Sequence, residues 1–312
     1  MLSKQLKKIL DYLVYLVVRI SVCIVEALPI ETCAMLARWL ATLCCDVLRI
    51  RWEVIDDNLR NAFPQMTDRE RRDLTWGMWE HLFLLLVEVV HGPRKIHDTN
   101  WRDYVTLHNA DQIIRACFDD RPSVLICGHY GNFELSAYVL GLYGFQTFTI
   151  ARPLDNRYLD RLLNEFRGLK GQFVLSKTGS AGQVTEVLAS GGTLALLGDQ
   201  HAGPRGCWVD FFGRPASSHK AIALFSLGSE APTVFCYTRR IGKPLHLLIG
   251  AETLLDPAKM PSAMRTVPAI TQWYTQHLEH TIRQEPRQYW WVHRRWKDTR
   301  PKKRVSSPEK AA

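Results

Sequence analysis

The chain has 312 residues, 46% of them hydrophobic, and a formal net charge of +9. That length can hold two domains, but single α/β domains also reach it, and no Pro/Ser/Gly-rich linker or internal repeat divides residues 100–297. Eight cysteines occur without CxxC or zinc-finger spacing, mostly inside apolar runs, which excludes a disulfide scaffold and suits a reducing compartment.

At the N-terminus, Tyr12 to Ile30 is about long enough to cross a bilayer but contains Arg19 and Glu26. At helical spacing Lys4, Lys8, Asp11, Tyr15, Arg19 and Glu26 share one stripe, with Val22 on it, and apolar residues cover most of the rest. A second apolar stretch, Thr32 to Leu48, follows Pro29. Either one transmembrane anchor or two helices lying in the membrane interface fits this pattern, and no A-x-A-like cleavage site suggests a removed leader. The predicted organisation is membrane-associated helices over 1–49, a core domain over 50–300 and a basic disordered tail over 301–312.

The next predicted helix begins at the capping box Thr67-Asp-Arg-Glu70 and stops at His91-Gly92-Pro93. Trp76, Trp79, Leu82, Phe83, Leu86 and Val90 recur at helical spacing along it, as a core-facing stripe or the lining of an acyl groove. Val124 to Cys127 then reads as a buried strand. Gly128 and Gly131 bracket a sharp turn, and Asn132 caps a helix from Phe133 to Leu142. Five residues along one helix would point His129 and Glu134 apart. The two can meet only with His129 in the turn at the strand's end and Glu134 in the first helical turn. A carboxylate that holds one imidazole N–H fixes the tautomer and leaves the other nitrogen as a base.

Beyond this turn strands and helices alternate. Strands are predicted over 145–150, 173–175, 193–197, 233–237 and 246–251, and helices over 158–169, 183–189 and 268–284. This is an α/β pattern: a mixed, largely parallel sheet flanked by helices. Loops at 128–132, 151–156, 198–204 and around Arg214 would then gather at the carboxyl ends of the strands, where open α/β sheets bind ligands. Arg152 directly follows a predicted strand, where its guanidinium could take a phosphate or a developing oxyanion. His201 beside Asp199 and His129 does not make a metal site, because no two-ligand helical spacing accompanies it. GxSxG is absent.

The His129–Glu134 spacing resembles the His-(four residues)-Asp/Glu motif of the lysophospholipid and lipid A acyltransferases, and the late lauroyl and myristoyl transferases of lipid A biosynthesis look most similar. Further blocks in that family's order are Asn58-Leu-Arg-Asn-Ala-Phe-Pro64, Ala151-Arg-Pro-Leu-Asp-Asn156, Gly198-Asp-Gln200 with Phe211-Phe-Gly213, and Gln288-Tyr-Trp-Trp-Val-His-Arg-Arg-Trp-Lys297. The resemblance implies the glycerolipid-acyltransferase-like fold, an N-terminal membrane anchor at the bacterial inner membrane, and an active site facing the cytoplasm. It implies His129 and Glu134 as the catalytic pair and Arg152, Asn156, Arg167, Asp199 and Gln200 as substrate-binding or architectural. Asp199 and Gln200 would hydrogen-bond the acceptor's sugar or position Arg152. It further implies acyl carrier protein as donor, although acyl-CoA also fits the sequence, and an anionic glycolipid such as a lipid A precursor as acceptor. No cofactor or metal is called for.

The stretch from Arg287 to Lys310 holds nine Lys/Arg against two acids, interleaved with Trp290, Trp291 and Trp296. This suits an anionic membrane interface and would also draw an acidic carrier protein. No RNA-recognition, KH or helix-turn-helix signature is present, so nucleic acid is not the expected partner. Other readings are a lysophospholipid or other phosphoglycolipid acyltransferase, and a noncatalytic module that holds membrane or nucleic acid.

Overall fold

Apolar runs of four or five residues between longer helical patterns build a central sheet. The computed structural model describes residues 4–176, 179 and 181–297. Four helices come first: α1 (Lys4–Ala27), α2 (Ile30–Thr42), α3 (Trp52–Ala62) and α4 (Asp68–Lys95). β1 (Val105–His108), α5 (Asp111–Cys117), β2 (Ser123–Cys127), α6 (Phe133–Leu142), β3 (Thr147–Ala151), α7 (Arg157–Gly168), β4 (Gln172–Ser176), α8 (Ala181–Ala189) and β5 (Thr193–Leu197) follow. After a hairpin of β6 (Cys207–Phe211) and β7 (Arg214–Ser218) come α9 (Lys220–Gly228), β8 (Thr233–Arg240), β9 (Leu247–Leu255) and α10 (Val267–Gln284).

The main sheet has seven strands in the order β1-β9-β8-β2-β5-β3-β4. Only the β8–β9 pairing is antiparallel, so the sheet is mixed and largely parallel, as predicted. β2 lies at its centre between β8 and β5, with Val124, Ile126, Leu194, Leu196 and Phe235 buried around it. Helices cover both faces, which is why these strands read as continuous apolar runs rather than alternating ones.

Several elements escape the sequence reading. α9 is apolar nearly all round and gives no amphipathic period. The β6–β7 hairpin turns on Phe212 and Gly213, both at positive φ, where turn rules favour Asn or Gly over a bulky Phe. Helix α4 starts at the predicted box, with Thr67 N–H donating to Glu70 Oε2 at 2.7 Å, but runs through Gly92 and Pro93 to Lys95. Gly92 is there for contact: a Cβ on it would lie 2.7 Å from Leu135 Cδ2. The buried face of α4 is Leu74, Met78, His81, Leu85 and Glu88, whereas the predicted stripe from Trp76 to Val90 is half-buried, with Leu86 exposed.

α2 packs along α4, and α1 lies against α4 and α7. No helix among the described residues is long and apolar enough to cross a membrane. Of the predicted stripe on α1, Asp11, Tyr15, Val22 and Glu26 are half-buried, while Lys8 and Arg19 are exposed. Tyr12 and Tyr15 meet Tyr158 of α7 at ring-centroid distances of 5.3 and 5.8 Å. The outward face stays apolar: Val17, Ile20, Ile24, Trp39 and Leu40 are exposed, Trp39 by 70%.

The C-terminal block departs from expectation. Trp291 and Trp296 are buried against Phe211 and Phe212, and Arg295 is buried too, donating to Ser217 O and Ser218 Oγ at 2.7 and 2.6 Å. These three belong to the core and not to a membrane-facing tail, because the hairpin closes over them. The tail expected over 301–312 lies outside the described residues, as do residues 298–300.

Candidate active site

Parallel pairing in register sets the geometry. Cys127 at the end of β2 pairs with Leu197 at the end of β5. His129 and Asp199 each stand two residues beyond that pair, so they leave neighbouring strands side by side. His129 Nδ1 lies 2.7 Å from Asp199 Oδ1, and the His129 backbone N–H donates to Asp199 Oδ2 at 2.9 Å. An ionised carboxylate can only accept, so Nδ1 carries the hydrogen and Nε2 presents its lone pair. Gln200 places its amide 3.4 Å from Nε2 at the exposed side of the site.

Asp199 is buried, and burial by itself would raise its pKa. The charge and hydrogen bonds of His129 overcome that and hold it at about 2. Arg295 and Tyr289 stand around the same carboxylate. His293, which accepts the His201 backbone N–H at 3.0 Å, is pushed down to about 4 by burial, partly offset by Asp199. It is therefore neutral at ordinary pH, and His129 is the imidazole that Asp199 directly supports.

The expected His129–Glu134 pair does not form. Glu134 starts α6 as predicted, but α6 packs against α7, and Arg167 grips its carboxylate with two bonds, Nε–Oε2 at 2.9 Å and Nη2–Oε1 at 2.6 Å. A forked guanidinium matches a carboxylate better than one ring N–H does. Asp199, expected at the acceptor's sugar, has both oxygens committed to His129 instead. Asn156 caps α7 through Oδ1 and donates to Asp11 O at 2.7 Å, so it ties α1 to α7 and is architectural. Arg152 is 76% exposed and pairs with Asp155 at 3.0 Å. Both Arg152 and Arg167 border a cavity of about 280 Å³ at the carboxyl ends of β3 and β4, together with Asp160, Asn164 and Ser176.

A buried polar network fixes the turn itself. Glu88 accepts from Arg240 Nε and Nη2 at 2.5 and 2.8 Å, from Asn132 Nδ2 at 2.8 Å and from the Leu245 N–H at 3.0 Å. Arg240 also meets His81 Nδ1 at 2.9 Å, and burial holds His81 neutral by pushing its pKa down. Asn132 in turn caps α6 by accepting the Leu135 N–H at 3.1 Å. Gly131 sits at φ +57° with its backbone against β8, where a Cβ would fall 1.4 Å from Thr238 O. Only glycine fits there. Its N–H donates to Gln288 O at 2.8 Å, and the Asn132 N–H donates to Thr238 O at 3.0 Å.

The C-terminal block closes the other side. Asn58 of α3 donates to Trp291 O and His293 O at 2.7 and 2.8 Å, and Gln288 bonds the backbone of Arg240. Trp290 N–H donates to His129 O at 3.0 Å, and its ring stands 4.8 Å from the imidazole. The Asn58, Gly198–Gln200 and Gln288–Lys297 blocks thus meet at one site, which their separation in sequence conceals. Cys127 lies at the end of β2 with its Sγ 4.0 Å from Leu196 O. The neighbouring Cys236 thiol, together with burial, pushes its pKa well above the ordinary value.

The site is thus a strand-end imidazole anchored on a buried carboxylate, set in a mixed α/β sheet. Residues 2–298 match the family model described as bacterial lipid A biosynthesis acyltransferase, and the chain belongs to that family. It is an acyltransferase. Among curated relatives it is 25% identical over 285 residues to the lipid A biosynthesis lauroyltransferase of Escherichia coli (strain K12), covering 89% of each chain. It is 24% identical over 281 residues to the lipid A biosynthesis palmitoleoyltransferase of the same organism, covering 88% of this chain and 87% of that one. The 1-acyl-sn-glycerophosphate acyltransferase PlsC of Thermotoga maritima gives a TM-score of 0.39 at 12% identity, covering 81% of this chain and 95% of that structure.

Proposed function

We propose that this protein moves a fatty acyl chain from an acyl thioester, carried by acyl carrier protein, to a hydroxyl of an anionic glycolipid such as a lipid A precursor. The observation that carries the reading is His129, with Nδ1 held by Asp199 and Nε2 presented beside Gln200, in a chain of this family. His129 Nε2 takes the acceptor hydroxyl's proton as its oxygen attacks the thioester carbonyl. Asp199 stabilises the imidazolium. When the tetrahedral intermediate collapses, the C–S bond breaks and the proton passes from His129 to the leaving thiolate, so no acyl-enzyme forms.

The Gly131 and Asn132 N–H groups before α6 are bonded to Gln288 O and Thr238 O and so do not serve the oxyanion. The start of α6 offers the N–H groups of Phe133 and Glu134 for that role. The cavity bordered by Arg152 and Arg167 takes the anionic part of the acceptor, and Glu134 serves it by holding Arg167 in position. The exposed apolar face of α1 and α2 lies in the bilayer interface on the cytoplasmic side of the inner membrane, with the charged stripe turned partly towards the protein.

Mass spectrometry of membrane lipids with and without the gene tests the proposal. The expected result is an anionic glycolipid lighter by one acyl chain in the deletion strain. Loss of an acyl chain from a glycerophospholipid alone would replace the acceptor.

A further inference from the structure

Tyr289, Trp290 and Trp291 form a tight turn, with the Trp291 N–H donating to Tyr289 O at 2.9 Å and the two outer side chains buried in the core. Trp290 is half-exposed and turns the other way. Its ring centroid lies 4.8 Å from that of His129, and Phe133 lies 5.0 Å from His129 on the helix side. The Trp290 and Phe133 planes are within 14° of parallel at 6.4 Å, too close for a methylene chain to pass between overlapping faces. The imidazole is inclined to both, at 59° and 70°, and both ring centroids lie within the roughly 6 Å over which an aromatic ring acts on a cation. An aromatic face is the negative pole of the ring's quadrupole and attracts a cation.

We infer that Trp290 is a positioning residue for the transfer reaction, and that its indole face stabilises the imidazolium formed when His129 takes the acceptor's proton. The inference rests on His129 being the general base. The backbone bond from Trp290 N–H to His129 O fixes the indole at that distance and survives substitution of the side chain. Asp199 holds one nitrogen of His129 in the ring plane, while Trp290 contributes through its face and needs no polar atom in the site.

Other charged or titratable groups surround His129. They are Asp199 after β5, Tyr289 and Arg295 acting on Asp199, His293 beside it, Cys127 at the end of β2, and Glu134 with Arg167 on α6 and α7. None of them is itself substituted when the indole is replaced, and comparing a variant that restores a π-face with one that does not separates the ring from altered packing.

The test is the pH dependence of kcat/KM for Trp290→Met, which keeps bulk without a π-face, and Trp290→Phe, which restores one. Removing a cation–π contact should move the acidic limb about half a unit to lower pH and cut plateau kcat about two- to fivefold. Trp290→Phe should recover most of both. A reduced rate with an unmoved limb in Trp290→Met would show mere packing and overturn the inference, as would a limb displaced to higher pH. His129→Ala is the control. Activity there removes the general-base reading and this inference with it, whereas an inactive His129→Ala beside an unmoved limb in Trp290→Met removes only the role of Trp290.

Discussion

The turn around His129 and the loop around Arg152 both follow parallel strands of one mixed sheet, yet they are held in opposite ways. The turn is gripped from α4, β8, β5 and the C-terminal segment, with nearly every polar group committed inside the protein. Arg152 and Asp155 are 76% and 84% exposed and hold only each other, above an open cavity. A base must meet its substrate in one orientation, so its supports are paid for in advance by the fold. The pocket proposed for the headgroup leaves its outer cation in solvent, where a charged ligand can reach it. The first region should therefore fail by losing rate or folding, and the second by losing affinity.

The largest expected effect falls on Asp199. Asp199→Asn keeps the shape but removes the charge behind the imidazolium, and can hold the ring in the wrong tautomer. It should lower kcat by about 10²–10⁴, the scale of lost acid–base function, with KM nearly unchanged. Glu134→Gln weakens the grip on Arg167 and should raise the acceptor KM while leaving the pH profile in place. If Glu134→Gln moved the pH profile and Asp199→Asn did not, the two carboxylates would have to exchange roles.

Next comes the support of the turn. Glu88 has no exposed side-chain surface and compensates Arg240. Glu88→Gln leaves a buried guanidinium without its counter-charge, so about 3–5 kcal/mol of stability should be lost by denaturant titration. Exchanging the whole pair for apolar residues of similar volume, Glu88→Leu with Arg240→Met, should cost less stability but still impair turnover, because Asn132 loses its nearer acceptor and keeps only Leu85 O at 3.4 Å. Full activity in that double variant would mean the network only balances charge and does not shape the turn.

The fold class was legible because buried strands and capped helices leave local marks: the apolar run at 124–127, the box at Thr67 and the cap at Asn132 all stand where predicted. The partner of His129 was not. Which strand lies beside β2 is a property of sheet order, and no local period records that β5, some seventy residues later, is its neighbour. Had that pairing been known, the matching two-residue offsets of His129 and Asp199 would have pointed to each other. Glu134 was the nearest carboxylate in sequence, and Arg167 claimed it through helix packing that sequence spacing does not encode. Trp290 and Arg295 sit in one short basic, Trp-rich block, yet one faces the site and the other is buried. Composition alone reads such a block as surface.

The smallest effect, and the one that most sharpens the contrast, belongs to Arg152. Its bond to Asp155 is a surface ion pair between residues three apart, a class that contributes about 0–1 kcal/mol. Arg152→Lys should leave the melting temperature and kcat where they are. If the cavity takes an anionic group of the acceptor, replacing a planar fork by a point charge should still raise the acceptor KM about three- to tenfold. Added salt should narrow the difference, since an exposed charge is screened within about 10 Å at 0.1 M. Identical KM values for both proteins at low salt would leave Arg152 a surface residue and pass the headgroup contact to Arg167. A large fall in kcat would instead carry Arg152 into the reacting centre and erase the division between the rigid turn and the open pocket.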